Sequence, residues 1–260
     1  MQAWQRYFEI MNEVVKKAYD TQGENIMRAA DILTECTKND GIIHMFGSGH
    51  SSLVTEDVFW RSATLANVHA IFESGVAGIN EITKTSHMEK LEGVGRVIAE
   101  YNRLVPPDVL VCISNSGNNA STVDMALAAK ERGLPVIAFT NVEYADQLTT
   151  QHSSGKKLKD IADVVIDNCS IIGDAAVKLD GLEVKVGATS TIPVVYMLAA
   201  LLVQTCDNLL KQGITPDVYY NGHLAYESDH VKSTTTRWWT NTTGVCATCE
   251  NGHRVAQKEK

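Results

Sequence analysis

Apolar residues recur at spacings of three and four from residue 2 to about residue 38. Trp4, Phe8, Met11, Val15 and Ala18 form one stripe, and Ile26, Ala29, Ala30 and Leu33 extend it beyond Gly23. The pattern predicts two helices or one bent helix. A stripe of this length ahead of the first strand needs a cover. A partner chain is expected to contribute to it, because the unit that follows has helices enough for its own sheet.

From residue 41 to 167 the period changes. The runs GIIHMF (41–46), NVHAIF (67–72), DVLVCI (108–113), PVIAFT (135–140) and ADVVI (162–166) are short and rich in Val and Ile. None alternates strictly, as expected of strands buried on both faces. Helical stretches lie between them at 52–65, 88–101 and 121–132, the last stopped by Gly133 with Pro135 following. Strand–helix alternation of this kind predicts a five-stranded parallel sheet with right-handed crossovers. The apolar run from Thr191 to Leu210 predicts a long closing helix. Beyond about Tyr226 the chain turns polar, Thr-rich and aperiodic apart from Trp238-Trp239, which reads as a poorly ordered tail or docking arm. The expected division is therefore a helical arm over 1–40, an α/β domain over 41–225 and a tail over 226–260.

Composition narrows the class. The 260 residues are 44% hydrophobic and 21% charged, with a net charge of −8, which argues against a general nucleic-acid or anionic-membrane binder. An anionic small molecule stays compatible, since backbone N–H groups and hydroxyls can hold it. The opening MQAWQRYFEI does not read as a signal peptide. The most apolar segment, Ile192 to Gln204, has 13 residues, short of the ~20 that span a bilayer. Four of the six cysteines lie in apolar or helical patterns, consistent with reduced thiols in a cytoplasmic protein. Cys246 and Cys249 with His253 offer three ligands where structural zinc takes four, so no metal and no cofactor is expected.

Two loops carry candidate chemistry. The first strand runs into Gly47-Ser48-Gly49-His50-Ser51-Ser52, and a helix follows whose free N–H groups favour an anion. The dinucleotide pattern GxGxxG fails because Ser52 stands at its third glycine. The third strand runs into Ser114-Asn115-Ser116-Gly117-Asn118-Asn119, with Ser121 or Thr122 opening the next helix. Two such loops after neighbouring strands describe a pocket for a phosphomonoester with a polar body.

The pair GSGHSS and SNSGNNAST, with VGATSTIPVVYML opening the closing helix, resembles the sugar isomerase (SIS) domain superfamily over roughly residues 41–212. More narrowly, G-x-G-H-S with EDVFWR, ISNSGNN, SGKKLKDIADVVIDN and the N-terminal arm resembles one branch of it. The resemblance implies a three-layer αβα sandwich, flavodoxin-like, forming homodimers or higher oligomers. It also implies a phosphosugar held by the two loops through Gly47, Ser48, Gly49, Ser51, Ser52, Ser114, Asn115, Ser116, Gly117, Asn118, Asn119 and Ser121. The family holds aldose–ketose isomerases, a lyase that removes a lactyl ether from a phosphorylated amino sugar, and sensor domains.

Isomerisation needs a base to carry a proton between adjacent carbons and a group to polarise the carbonyl. The family glutamate expected ten residues after Ser51 is Arg61 here. The available replacements are Glu56, one turn into the helix after the first loop, and Glu73, at the end of the second strand; Glu81 is hard to place. His50, inside the anion loop, is a candidate for donating to phosphate or assisting ring opening, and Arg61 for pairing a carboxylate or sugar acid. His44 and His69 read as satisfied core residues, while His152 is placed to reach the site from the fourth strand. The expected function is an aldose–ketose isomerase. A carbon–oxygen lyase is the first alternative and a non-catalytic phosphosugar sensor the second, with neither nucleic acid nor membrane as partner.

Overall fold

The computed structural model describes residues 1–78 and 81–242. It opens with one unbroken helix, α1 (Ala3–Lys38). Gly23 costs a helix only about 1 kcal/mol relative to Ala, and buried residues on both sides of it, Ala18 and Ala29 among them, hold the helix down. The stripe predicted for the first turns is only partly the buried one. Met11, Val14 and Ala18 are buried, whereas Trp4 and Phe8 are 63% and 60% exposed.

Five strands follow, β1 (Ile43–Gly47), β2 (Val68–Ala70), β3 (Val109–Ile113), β4 (Val136–Thr140) and β5 (Val164–Asp167). They form one parallel sheet in the order β2-β1-β3-β4-β5. The chain thus leaves β1 for one neighbour and returns to its other side, which creates a switch point between β1 and β3. Between strands lie α2 (Ser51–Val58), α3 (Ser74–Ala77), α4 (Ile82–Met88), α5 (Val94–Tyr101), α6 (Ala120–Glu131) and α7 (Val142–Gln147). The closing helix is α8 (Thr191–Lys211).

Alternation along each strand divides the core in two. Ile43, Met45, Val109, Val111, Ile137 and Phe139 meet α1, α2 and α8 on one face. Phe46, Leu110, Cys112, Val136 and Ala138 meet α5 and α6 on the other. The result is a three-layer αβα sandwich. At 21 residues, α8 is longer than its apolar run and sufficient in length and composition to cross a membrane. Here Met197, Leu198 and Leu201 are core, packed with α1 residues such as Ala29 and Leu33. α5 lies flush on α6, since a Cβ at Gly95 would sit 2.1 Å from the Ser121 carbonyl oxygen.

His44 and His69 are satisfied in the core. His44 Nδ1 lies 3.0 Å from His69 Nδ1, and His44 Nε2 lies 3.3 Å from Asp108 Oδ2. Burial pushes the Asp108 carboxyl up, but His44 and the N–H groups of Ile42 and Val105 outweigh it and hold the carboxyl below the usual carboxylate range.

The polar region after Tyr226 contains a helix, α9 (Asp229–Thr242), which corrects the expectation of an aperiodic segment there. Trp238 supplies the reason: it is buried with Ile42, Ala66 and Tyr219, and its indole N–H donates to Asp217. Cys246, Cys249 and His253 lie outside the described residues. At the other end, Tyr7 of α1 donates its hydroxyl hydrogen bond to the Ala188 carbonyl at 2.6 Å, and its ring lies where a Cβ on Gly187 would stand.

Leu33 is fully buried between α1 and α8. Leu33→Ala is expected to cost about 2–5 kcal/mol in a urea titration, whereas Met27→Ala, at an exposed site on the same helix, should stay within about 0.5 kcal/mol.

Candidate functional site

The in-register pairing Gly47↔Ile113 makes the loop after β1 and the loop after β3 side-by-side neighbours at the C-terminal edge of the sheet. Each turn depends on a glycine. At Gly47 a Cβ would stand 2.7 Å from the Ser51 backbone. Gly117 has φ +60 and space only up to Thr140 Oγ1, 2.9 Å from a built Cβ, so both steric room and backbone region favour glycine.

A carboxylate that sequence reasoning missed joins the loops. Ser48 Oγ donates to Glu89 Oε2 at 2.9 Å, and Asn119 Nδ2 donates to the same oxygen at 2.7 Å. Glu89 follows α4, and its carbonyl oxygen accepts from Ser121 N at 3.0 Å, which docks the end of α4 onto the start of α6. Among the described residues no hydrogen bond to Glu89 Oε1 is made. Burial pushes the Glu89 carboxyl up, against the opposing hydrogen bond from Ser48, the charge of Lys90 and the hydrogen bond from Asn119, and the net shift is upward.

The other loop residues divide by partner. Ser114 Oγ accepts from Gly117 N at 3.1 Å, and Ser116 Oγ accepts from Asn118 N at 3.4 Å. Ser52 donates back to the Gly49 carbonyl at 2.7 Å. Asn118 faces away from the pocket: its side chain donates to Thr149 O and accepts from Gln151 N. The hydroxyls of Ser121 and Thr122, both fully buried in the first turn of α6, have no hydrogen-bond partner among the described residues.

Beside the loops lies a polar cavity of about 130 Å³, walled by His50, Ser51, Asn115, Asn168, Asp174 and Thr191 among others. Asn115 Oδ1 is fixed by Asn168 Nδ2 at 2.9 Å and Ser170 Oγ at 3.0 Å. Asp174, at φ +54, receives the N–H groups of Thr189 and Ser190 at 2.8 and 2.7 Å. It thereby fixes the chain entering α8. His50 also borders a second, more open cleft with Leu53, Ile82 and Glu89.

Five sequence candidates stand apart from both spaces. Glu56 is exposed on α2, because Val54, Thr55 and Val58 turn the other side of that helix to the core. Glu73 is exposed and caps α3, accepting from Gly75 N at 3.1 Å. Arg61 is exposed and pairs with Asp57. Glu81 is exposed ahead of α4. His152 does not reach the site, being held by Asp124 Oδ1 at 3.1 Å and Ser154 Oγ at 2.8 Å. Among the described residues no group of three or more His, Cys, Asp or Glu side chains is placed to hold a metal ion.

The SIS domain family model matches residues 6–141, more than half of the chain. The chain belongs to the SIS domain family. A UPF0309 protein of Halalkalibacterium halodurans is 33% identical over 218 residues, covering 84% of this chain and 90% of that one. A UPF0309 protein of Caldanaerobacter subterraneus is 34% identical over 227 residues, covering 86% and 92%. Solved SIS structures share the fold at low identity. A phosphoheptose isomerase from Francisella tularensis superposes with TM-score 0.50 and 15% identity, covering 79% of this chain and 98% of that one. The Vibrio vulnificus NanR protein complexed with ManNAc-6P gives TM-score 0.52 and 14% identity, covering 90% and 68%.

The raised Glu89 carboxyl has a measurable sign. Because the folded SIS domain holds the Glu89 proton more tightly than the unfolded chain, Glu89 favours folding most below its ordinary value of 4.5. That contribution is lost as pH rises from there through the raised value. Melting temperatures across this window should fall less steeply in Glu89→Gln than in the wild type; parallel curves would contradict the assignment.

Proposed function

We propose that this SIS domain binds a phosphosugar and acts as a sugar-phosphate isomerase, in its simplest form between aldose and ketose. The observation that carries the reading is the trio Ser48–Glu89–Asn119, which puts a half-buried carboxylate between two loops suited to a phosphate. The hydroxyls of Ser114 and Ser116 and the start of α6 take the phosphate, and the polar cavity takes the sugar hydroxyls. Glu89 Oε1 removes the proton from C2 of the open-chain aldose. The C2–H electrons form the C1–C2 double bond, the carbonyl oxygen is protonated, and an enediol results. Return of the proton to C1, with loss of the O2 proton, gives the ketose. His50, shared by both spaces, assists at the oxygen or at ring opening. Glu56, exposed on α2, and Glu73, which caps α3, give up the role of base to Glu89.

The protein is further proposed to work in the cytoplasm as a homodimer. Trp4, Phe8 and Tyr19 stand exposed on α1, and an apolar groove runs from Phe8 to Tyr196 of α8. A second copy laid on that surface would cover them. A second reading, a non-catalytic phosphosugar sensor, is favoured by one observation: Arg61 stands where the family resemblance calls for a glutamate and turns to Asp57.

The test is solvent deuterium exchange into a panel of sugar phosphates, followed by NMR. Wild type should label C1 or C2, and Glu89→Gln should slow labelling by about 10²–10⁴-fold while keeping the rise in melting temperature on ligand addition. Undiminished exchange in Glu89→Gln removes Glu89 as base. A ligand-induced rise with no exchange in wild type selects the sensor. For the dimer, Phe8→Glu should lower the mass measured by light scattering; a wild-type protein already monomeric would end that proposal.

A further inference from the structure

Next to His50 and Glu89, the second cleft encloses about 300 Å³. Its remaining walls come from Leu53 of α2, Ala77 and Gly78 of α3, and Ile82, Thr85 and Ser86 of α4. Leu53 is 50% exposed and Ile82 is 77% exposed. Single exposed apolar side chains are ordinary on a protein surface. Two that converge on a cleft sharing walls with a substrate site are a different matter. A sugar carrying only hydroxyls would meet Leu53, Ala77 and Ile82 with groups that lose water and gain no partner there.

Apart from His50 and Glu89, the cleft has one available polar feature. Thr85 Oγ1 spends its proton on the Glu81 carbonyl at 3.0 Å. Ser86 Oγ accepts a long contact from Lys90 Nζ at 3.5 Å and retains its own proton as a donor. An apolar wall with one hydroxyl donor suits a group that combines a methyl with a carbonyl oxygen.

We infer that the cleft receives the acyl group of a 2-acylamino sugar phosphate. The acyl methyl packs against Leu53, Ala77 and Ile82, and the acyl carbonyl accepts from Ser86. This rests on the phosphosugar reading and specifies its substrate class. The position follows from continuity, because Glu89 walls the cleft and is the proposed base at C2, which places the substituent on the carbon that loses its proton. With nitrogen on C2 there is no hydroxyl there to become a ketone. The proton taken from C2 to form the enediol-type intermediate returns to C2, so on such a sugar the step is read as exchange of the C2 proton with solvent.

Binding of glucose 6-phosphate, glucosamine 6-phosphate and N-acetylglucosamine 6-phosphate to the full chain, by calorimetry, tests the inference. The N-acetylated sugar should bind at least about tenfold more tightly than the other two, as expected for burying one methyl and making one hydrogen bond. Leu53→Ser should remove most of that preference by weakening N-acetylglucosamine 6-phosphate more than glucose 6-phosphate. Equal affinities for all three, or a preference that survives in Leu53→Ser, overturn the acyl assignment while the phosphosugar reading stands. If none of the three, nor any other sugar phosphate, binds, the phosphosugar reading falls and this one with it.

Discussion

The parallel pairing of β1 with β3 is the constraint on which the rest depends. β2 lies on the far side of β1, so the connections through α2 and through α6 diverge from one point at the sheet edge. The loops Gly47–Ser52 and Ser114–Ser121 are adjacent because their strands hydrogen-bond in register up to Gly47 and Ile113. Everything chemically notable gathers around that junction. Ser48 and Asn119 come from opposite loops to one carboxylate oxygen, and Asn115 looks across to Asn168 and Ser170 after β5.

The proposed phosphate would be held without a cationic field. The net charge is −8, the polar cavity has neither lysine nor arginine among its walls, and Arg61 is committed to Asp57 at the surface. Hydroxyls and side-chain amides would do most of the holding. They recognise by direction, since each acts only over hydrogen-bond distance.

The sheet was legible in the sequence because strands buried on both faces leave dense Val/Ile runs, and all five runs became strands. The two loops were legible because Ser, Gly and Asn cluster where such strands end. Glu89 was not. It sits just beyond an irregular stretch, Gly75 to His87, and its role comes from α4 docking on α6, a contact with no local signature. Glu56 was chosen on helix position, but burial of Val54, Thr55 and Val58 fixed the other side of α2 as the inner one. Asp174 was equally hidden, since its place depends on a left-handed backbone turn in a segment without periodicity. α9 escaped for a related reason: its anchor is one indole, Trp238, and its partners lie on Ile42, Ala66 and Tyr219.

Tyr7 gives the N-terminal helix a mechanical meaning. Its ring rests on Gly187 and its hydroxyl holds Ala188. The next two residues, Thr189 and Ser190, are tied to Asp174 in the cavity wall. The first turns of α1 and the rim of the pocket are therefore links of one short chain, with no slack residue between Ala188 and Thr189. A load applied to the exposed end of α1 is delivered to the mouth of the polar cavity, so the proposed dimer surface and the proposed sugar site would be geared together.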